Sequence, residues 1–155
     1  MKISSLRLEV GPPRLGWAEM TVTFEDFRLS VLASNTPWDS IADLAAAAHG
    51  HVSRRSVEVV RWHIDPGAFL FRLVPNGERS VFEIFEFADS SMRWPPRPDP
   101  IFFVELGTKS LGGSILRCLR RLEGRVSADA YLQEWRHPFP TSAVKQLGDA
   151  LKALK

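Results

Sequence analysis

Cysteine is nearly missing from this chain. Cys118 stands alone among 155 residues, so no intrachain disulfide can staple the fold. Long apolar runs are missing too. No stretch approaches the roughly 20 consecutive apolar residues that a membrane-spanning helix requires, which argues against a membrane protein. The amino terminus, MKISSLRLEV, lacks the apolar core of a secretory signal. Glu9 comes too early for an acid-poor transit peptide. One lone thiol suits a reducing compartment, so a cytoplasmic location is expected. There is no HExxH, no cysteine pair and no G-x-S-x-G elbow. Internal repeats and low-complexity tracts are absent.

Composition is that of an ordinary folded domain, with 45% apolar and 25% charged residues. One domain covering 1–155 is expected at this length. The 20 basic and 18 acidic residues nearly cancel, leaving +2. Their distribution is uneven: residues 1–100 hold 11 Lys/Arg and 13 Asp/Glu, residues 101–155 hold 9 and 5. A mildly basic tail of that density is a solvated helical face rather than a phosphate-neutralising patch, so nucleic acid is not the expected partner.

Periodicity gives the elements. Residues 2–10, 17–24 and 27–33 alternate apolar and polar, as half-buried strands do. The second and third are joined by a tight Glu25-Asp26 turn. The segment SNTPWDSIADLAAAAHG predicts a helix with Thr36 as N-cap, Pro37 at its first position and Gly50 as its left-handed stop. Four strands follow over 56–64, 68–74, 80–88 and 101–106, the last two with large apolar residues on both faces and therefore expected to be central. Val57 and Val59 are out of phase with Val60, Trp62 and Ile64, which predicts a strand buried on both sides or a bulge. The proline-rich segment 93–100 should be a stiff extended loop. From Ser110 the period becomes 3.6, with Leu111, Ile115, Cys118 and Leu122 in one stripe. Ser127 caps a short helix that places Tyr131, Leu132 and Trp135 inward, and Thr141 caps the last one. The order β-β-β-α-β-β-β-β-α-α-α predicts an α+β fold, an antiparallel sheet of six or seven strands with helices mainly on one face.

Several constellations could carry chemistry. Gly107-Thr-Lys-Ser-Leu-Gly-Gly-Ser114 nearly fits a phosphate-binding loop, but glycine occupies the lysine position. Backbone amides there, with Lys109, Gly112, Gly113 and Ser114, could still hold an anion or nucleotide. The flanking glycines could equally serve close packing. His63 and Asp65 could share a strand face, the start of a hydrolase or small-molecule site. His49 and His51 form an H-x-H pair without further ligands, so no metal site and no cofactor is expected. Glu83, on a strand with Phe85 and Phe87, needs a partner such as Arg72 or Arg61 if its face is buried. Arg117, Arg120, Arg121 and Arg125 make one basic helical face. Arg117 and Arg121 could dock an acidic partner. Trp94, flanked by Arg93 and Arg97 on the proline loop, could be a rigid contact knob.

In general make-up the chain resembles small bacterial accessory or immunity-type proteins. The leading expectation is a non-enzymatic module that binds another protein, including a second copy of itself through an open sheet edge.

Overall fold

The computed structural model describes residues 5–89 and 99–154. The chain runs β1 (Arg7–Val10), β2 (Trp17–Phe24), β3 (Phe27–Ser34), α1 (Ser40–Arg54), β4 (Glu58–His63), β5 (Ala68–Asn76), β6 (Arg79–Phe87), β7 (Phe102–Gly107), α2 (Thr108–Arg125), α3 (Ala128–Trp135) and α4 (Thr141–Ala153). All seven strands lie in one sheet, in chain order, each antiparallel to the next. This is the α+β order that the periodicity predicts.

Strand alternation decides which side is dry. Leu8, Val10, Met20, Val22, Val60, Trp62, Phe69, Phe71, Leu73, Phe82 and Ile84 all enter one core. Ile41, Leu44 and Ala48 of α1, the Leu111/Ile115/Cys118/Leu122 stripe of α2, and Val144, Leu147 and Leu151 of α4 close it. Helix α1 packs on β4 and β5, α2 on β1 and on β6 and β7, and α4 on α1 and α2. Gly112 makes the last junction tight: a Cβ there would lie 2.8 Å from both Leu151 and Val52.

The sheet is continuous only at a corner. β3 and β4 share one registered pair, Ser34 with His63, whereas β2 and β3 share eight. The Ser40 hydroxyl donates to the Arg61 carbonyl, so the start of α1 covers part of the β4 edge. Beyond the corner the two arms curl together on the core side. Phe27, at the start of β3, stacks on Phe102 of β7 with ring centroids 4.2 Å apart.

Some boundaries differ from expectation for local reasons. Helix α1 starts at Ser40 because Asp39, not Thr36, accepts from the Ala42 N–H. Thr36 is engaged instead with the Ser34 hydroxyl. Gly50 lies inside α1, where a side chain would collide with Glu58, and the left-handed stop falls on Arg55 at φ 54°. β4 keeps a single phase: Val60 and Trp62 are buried, while Val57 and Val59 are exposed. β7 is an edge strand, and Phe103 points outward at 69% exposure. Leu132 is also exposed, leaving Tyr131 and Trp135 as the buried residues of α3.

Two glycines of α2 should therefore respond oppositely to substitution. Gly112→Val should lower unfolding free energy by about 2 kcal/mol through overpacking. A Cβ at Gly124 would meet nothing within 4 Å, so Gly124→Ala should raise stability by about 0.5–1 kcal/mol through helix propensity. Urea denaturation of both variants checks the pair.

Candidate functional site

The structure disperses the residues singled out in the sequence. Arg93, Trp94 and Arg97 lie outside the described residues. Arg117 is exposed on α2. Arg121 is tied into the fold, since its Nη2 donates to the Leu8 carbonyl at 2.7 Å. Leu8 belongs to the outermost strand, so the guanidinium caps an edge that would otherwise be open. The Cys118 sulfur sits beside the Val10 backbone N–H on the same edge, and burial pushes its thiol up to about 12. Cys118 is thus an inert core group.

The glycine-rich segment is helical from Thr108 onward. Gly112, Gly113 and Ser114 sit inside α2, where their amides belong to the helix ladder rather than to a loop. The Ser114 hydroxyl donates back to the Ser110 carbonyl. Lys109 and Gly107 do line a shallow cavity of about 370 Å³ with Arg55, Glu78, Thr108 and Leu154. Its other cation is already engaged: Arg55 donates to the Thr108 hydroxyl and to the carbonyls of Gly77 and Arg79.

No ion pair joins His63 and Asp65 among the described residues. Asp65 is exposed in the turn after β4, while His63 meets the edge of the Trp38 ring. The His63 Nδ1 is buried and has no hydrogen-bond partner among the described residues. No group of three His, Cys, Asp or Glu side chains that could hold a metal ion occurs among the described residues.

A polar chain that periodicity did not reveal lies next to that cavity. His51 is fully buried in the last turn of α1. Its Nδ1 is 2.8 Å from the Ser56 carbonyl, which makes Nδ1 the protonated nitrogen. Its Nε2, 2.6 Å from the Ser80 hydroxyl, is then the acceptor. Ser80 in turn lies 2.8 Å from the Thr108 hydroxyl. A serine donating to an oriented imidazole has the geometry of nucleophile and base. Here, however, Ser80 and His51 are both 0% exposed, so the pair ties α1, β6 and α2 together within the core. The sequence signal was only the H-x-H pair, and 29 residues separate His51 from Ser80.

The outer face of the β4–β7 arm gathers side chains in register. Val59 lies opposite Arg72, Arg72 opposite Glu83, and Glu83 opposite Phe103. This row crosses four strands. Its centre is an ion pair, Arg72 Nε to Glu83 Oε1 at 2.7 Å, so that Arg72 rather than Arg61 is the partner Glu83 needs. Arg72 also lies over the Phe85 ring, 4.9 Å from its centroid. On one flank, Val57, Val74 and Val81 join the ion pair around an open concavity of about 440 Å³. On the other, Leu70, Phe85 and Phe87 form a second small cluster with Trp38. Two of the row's four residues, and Val57 beside it, are large exposed apolar groups.

The class defined by these features is an α+β domain whose sheet is covered by helices on its inner face and exposes apolar side chains on the outer face of the β4–β7 arm. No protein-family model, no curated protein and no solved structure matches the chain.

Burial pushes the His51 pKa below its ordinary 6.5. Below about pH 6.5 the unfolded chain carries a proton on His51 that the folded chain refuses. Stability should therefore be fully present above that pH and fall as pH drops toward the depressed folded value. Urea midpoints measured from pH 7.5 to 5 should show the fall, and His51→Gln should weaken it. Arg121→Ala, which uncovers the Leu8 carbonyl, should cost about 1–2 kcal/mol in the same assay at pH 7.5.

Proposed function

We propose that the protein is a recognition module that binds another protein through the outer face of the β4–β7 arm. The observation that carries this reading is the row Val59, Arg72, Glu83, Phe103. Val59 and Phe103, with Val57 next to them, expose apolar surface at 40%, 69% and 56%. Apolar groups gathered on one face, rather than scattered singly, mark an interaction site.

The ion pair at the centre fits the same reading. A partner that covers Arg72 and Glu83 buries two charges that already neutralise each other, so it leaves no lone charge without a counter-charge. Arginine and phenylalanine are also the residue types enriched where protein interfaces are driest. The rim is polar: Asn76 donates to Glu105 at 2.7 Å beside the valine flank.

Val59→Lys and Phe103→Lys test the proposal. Both side chains are exposed, so each variant should unfold within about 0.5 kcal/mol of the native chain. A protein captured by the native chain from its own cells, then purified, should bind either variant at least about tenfold more weakly, as the loss of a desolvated anchor implies. Unchanged affinity, or capture that the lysines do not alter, would overturn the outer-face reading.

A further inference from the structure

We infer that β3 offers a second, independent site: an open slot within the sheet that takes one extended strand of a partner protein. The argument starts from hydrogen-bond parity. β2 and β3 are joined by a two-residue turn with Phe24 opposite Phe27. A two-residue hairpin closes on a hydrogen-bonded pair, and such pairs alternate along the ladder. The Asn35 N–H donates to the Gly16 carbonyl at 2.8 Å, which puts the same parity at the far end. Phe27, Leu29, Val31 and Ala33 therefore bond to β2. Arg28, Ser30, Leu32 and Ser34 turn their backbone N–H and C=O groups to the other side.

Among the described residues, only Ser34 has a strand partner on that side, His63. β4 stops there, and the chain turns back through Ile64, whose N–H donates to the Gly67 carbonyl. The backbone groups of Arg28, Ser30 and Leu32 thus have no strand partner among the described residues. Space lies beside this edge at Ser30 and Leu32. A concavity of about 560 Å³ is lined by Trp17, Ser30, Val31, Leu32, Ile64 and Asp65. Three outward N–H and C=O sets at alternate residues, above an apolar floor, recognise an extended backbone by adding it to the sheet.

Side chains along the edge say what the strand should carry. Arg28, Ser30 and Leu32 share the outer side, and all three are exposed. Arg28 makes no ion pair among the described residues. An incoming antiparallel strand therefore fits best with an aliphatic residue opposite Leu32, a small hydroxyl residue opposite Ser30 and an acidic residue opposite Arg28. Read from its amino end, that is aliphatic-x-Ser/Thr-x-acidic, with no proline within it. This site shares no residue with the outer face of the β4–β7 arm, and lysines at Val59 and Phe103 leave it untouched.

The test uses the full chain and a phage-displayed library of random 12-residue peptides. Peptides that bind the native chain should converge on the aliphatic-x-Ser/Thr-x-acidic pattern. In amide exchange, Arg28, Ser30 and Leu32 should be fast in the free protein and slow once a selected peptide, made synthetically, is bound. Ser30→Pro removes an outward N–H at an edge position, where proline fits a strand. Arg28→Glu reverses the local charge and keeps every outward backbone group. Each should weaken the peptide at least about tenfold, the equivalent of one charged or backbone contact. Arg28→Glu should also shift selection toward a basic residue at the acidic position. Circular dichroism and the urea midpoint report whether each variant is folded, and Arg28→Glu carries the test if Ser30→Pro is not. No convergent peptide family, or one that binds both variants as it binds the native chain, would overturn the inference. So would slow exchange at Arg28, Ser30 and Leu32 in the free protein with dimerisation that rises with concentration, which would assign the slot to a second copy.

Discussion

One pairing sets the shape of this molecule: Ser34 against His63, the only registered contact between β3 and β4. A long overlap would have held seven strands in one gently twisted sheet. A single pair leaves a three-strand arm and a four-strand arm that can curl toward each other. The chain leaves β3 at this point because other groups claim the next residues. Asn35 donates from its side chain to the Trp135 carbonyl at 2.8 Å, and Asp39 accepts from the Trp135 indole at 2.9 Å. Helix α3, late in the sequence, therefore helps decide where an early strand ends. The Phe27–Phe102 stack and the seating of α2 between β1 and the β6–β7 strands both follow from that curl.

Helix α2 then works in two directions. Its apolar stripe fills the space between the arms, with Cys118 of that stripe beside Val10 of β1, and Arg121 reaches on to the Leu8 carbonyl at the β1 edge. Gly112 lets α4 and α1 approach, whereas a Cβ at Gly113 would meet only Arg117 of its own helix. The buried His51–Ser80–Thr108 chain supplies hydrogen bonds where α1 ends and α2 begins. Without them, buried polar groups at two helix ends would go unmatched, at a cost of about 1–3 kcal/mol each.

Much of the architecture was legible because period-2 and period-3.6 patterns do not resemble each other. That Glu83 needs an arginine was legible too, because a carboxylate among phenylalanines needs a cation nearby; the register chose Arg72 over Arg61. Errors arose where one physical cause has two readings. Apolar residues on both faces of β7 suggested a central strand, yet they occur because its outer face is exposed and apolar. The same ambiguity hid the meaning of Val57 and Val59. Thr36 and Gly50 have good capping chemistry, but Asp39 accepts the Ala42 N–H at one end of α1 and left-handed Arg55 closes the other. Neither the register row on the outer face nor the gap beside β3 could be read from the sequence. Both depend on strands far apart in the chain.

The position of that gap has a consequence for assembly. A strand laid beyond an outermost strand presents a fresh edge of its own, and growth can continue indefinitely, as it does in fibrils. The slot beside β3 has a fixed end instead: Ile64 and Asp65, in the turn that follows β4, line its concavity together with Leu32. A strand taken up there, as proposed, would be stopped at its Leu32 end by that turn, which would fix its register against β3. The alignment of the proposed guest would thus be set by the host's own backbone.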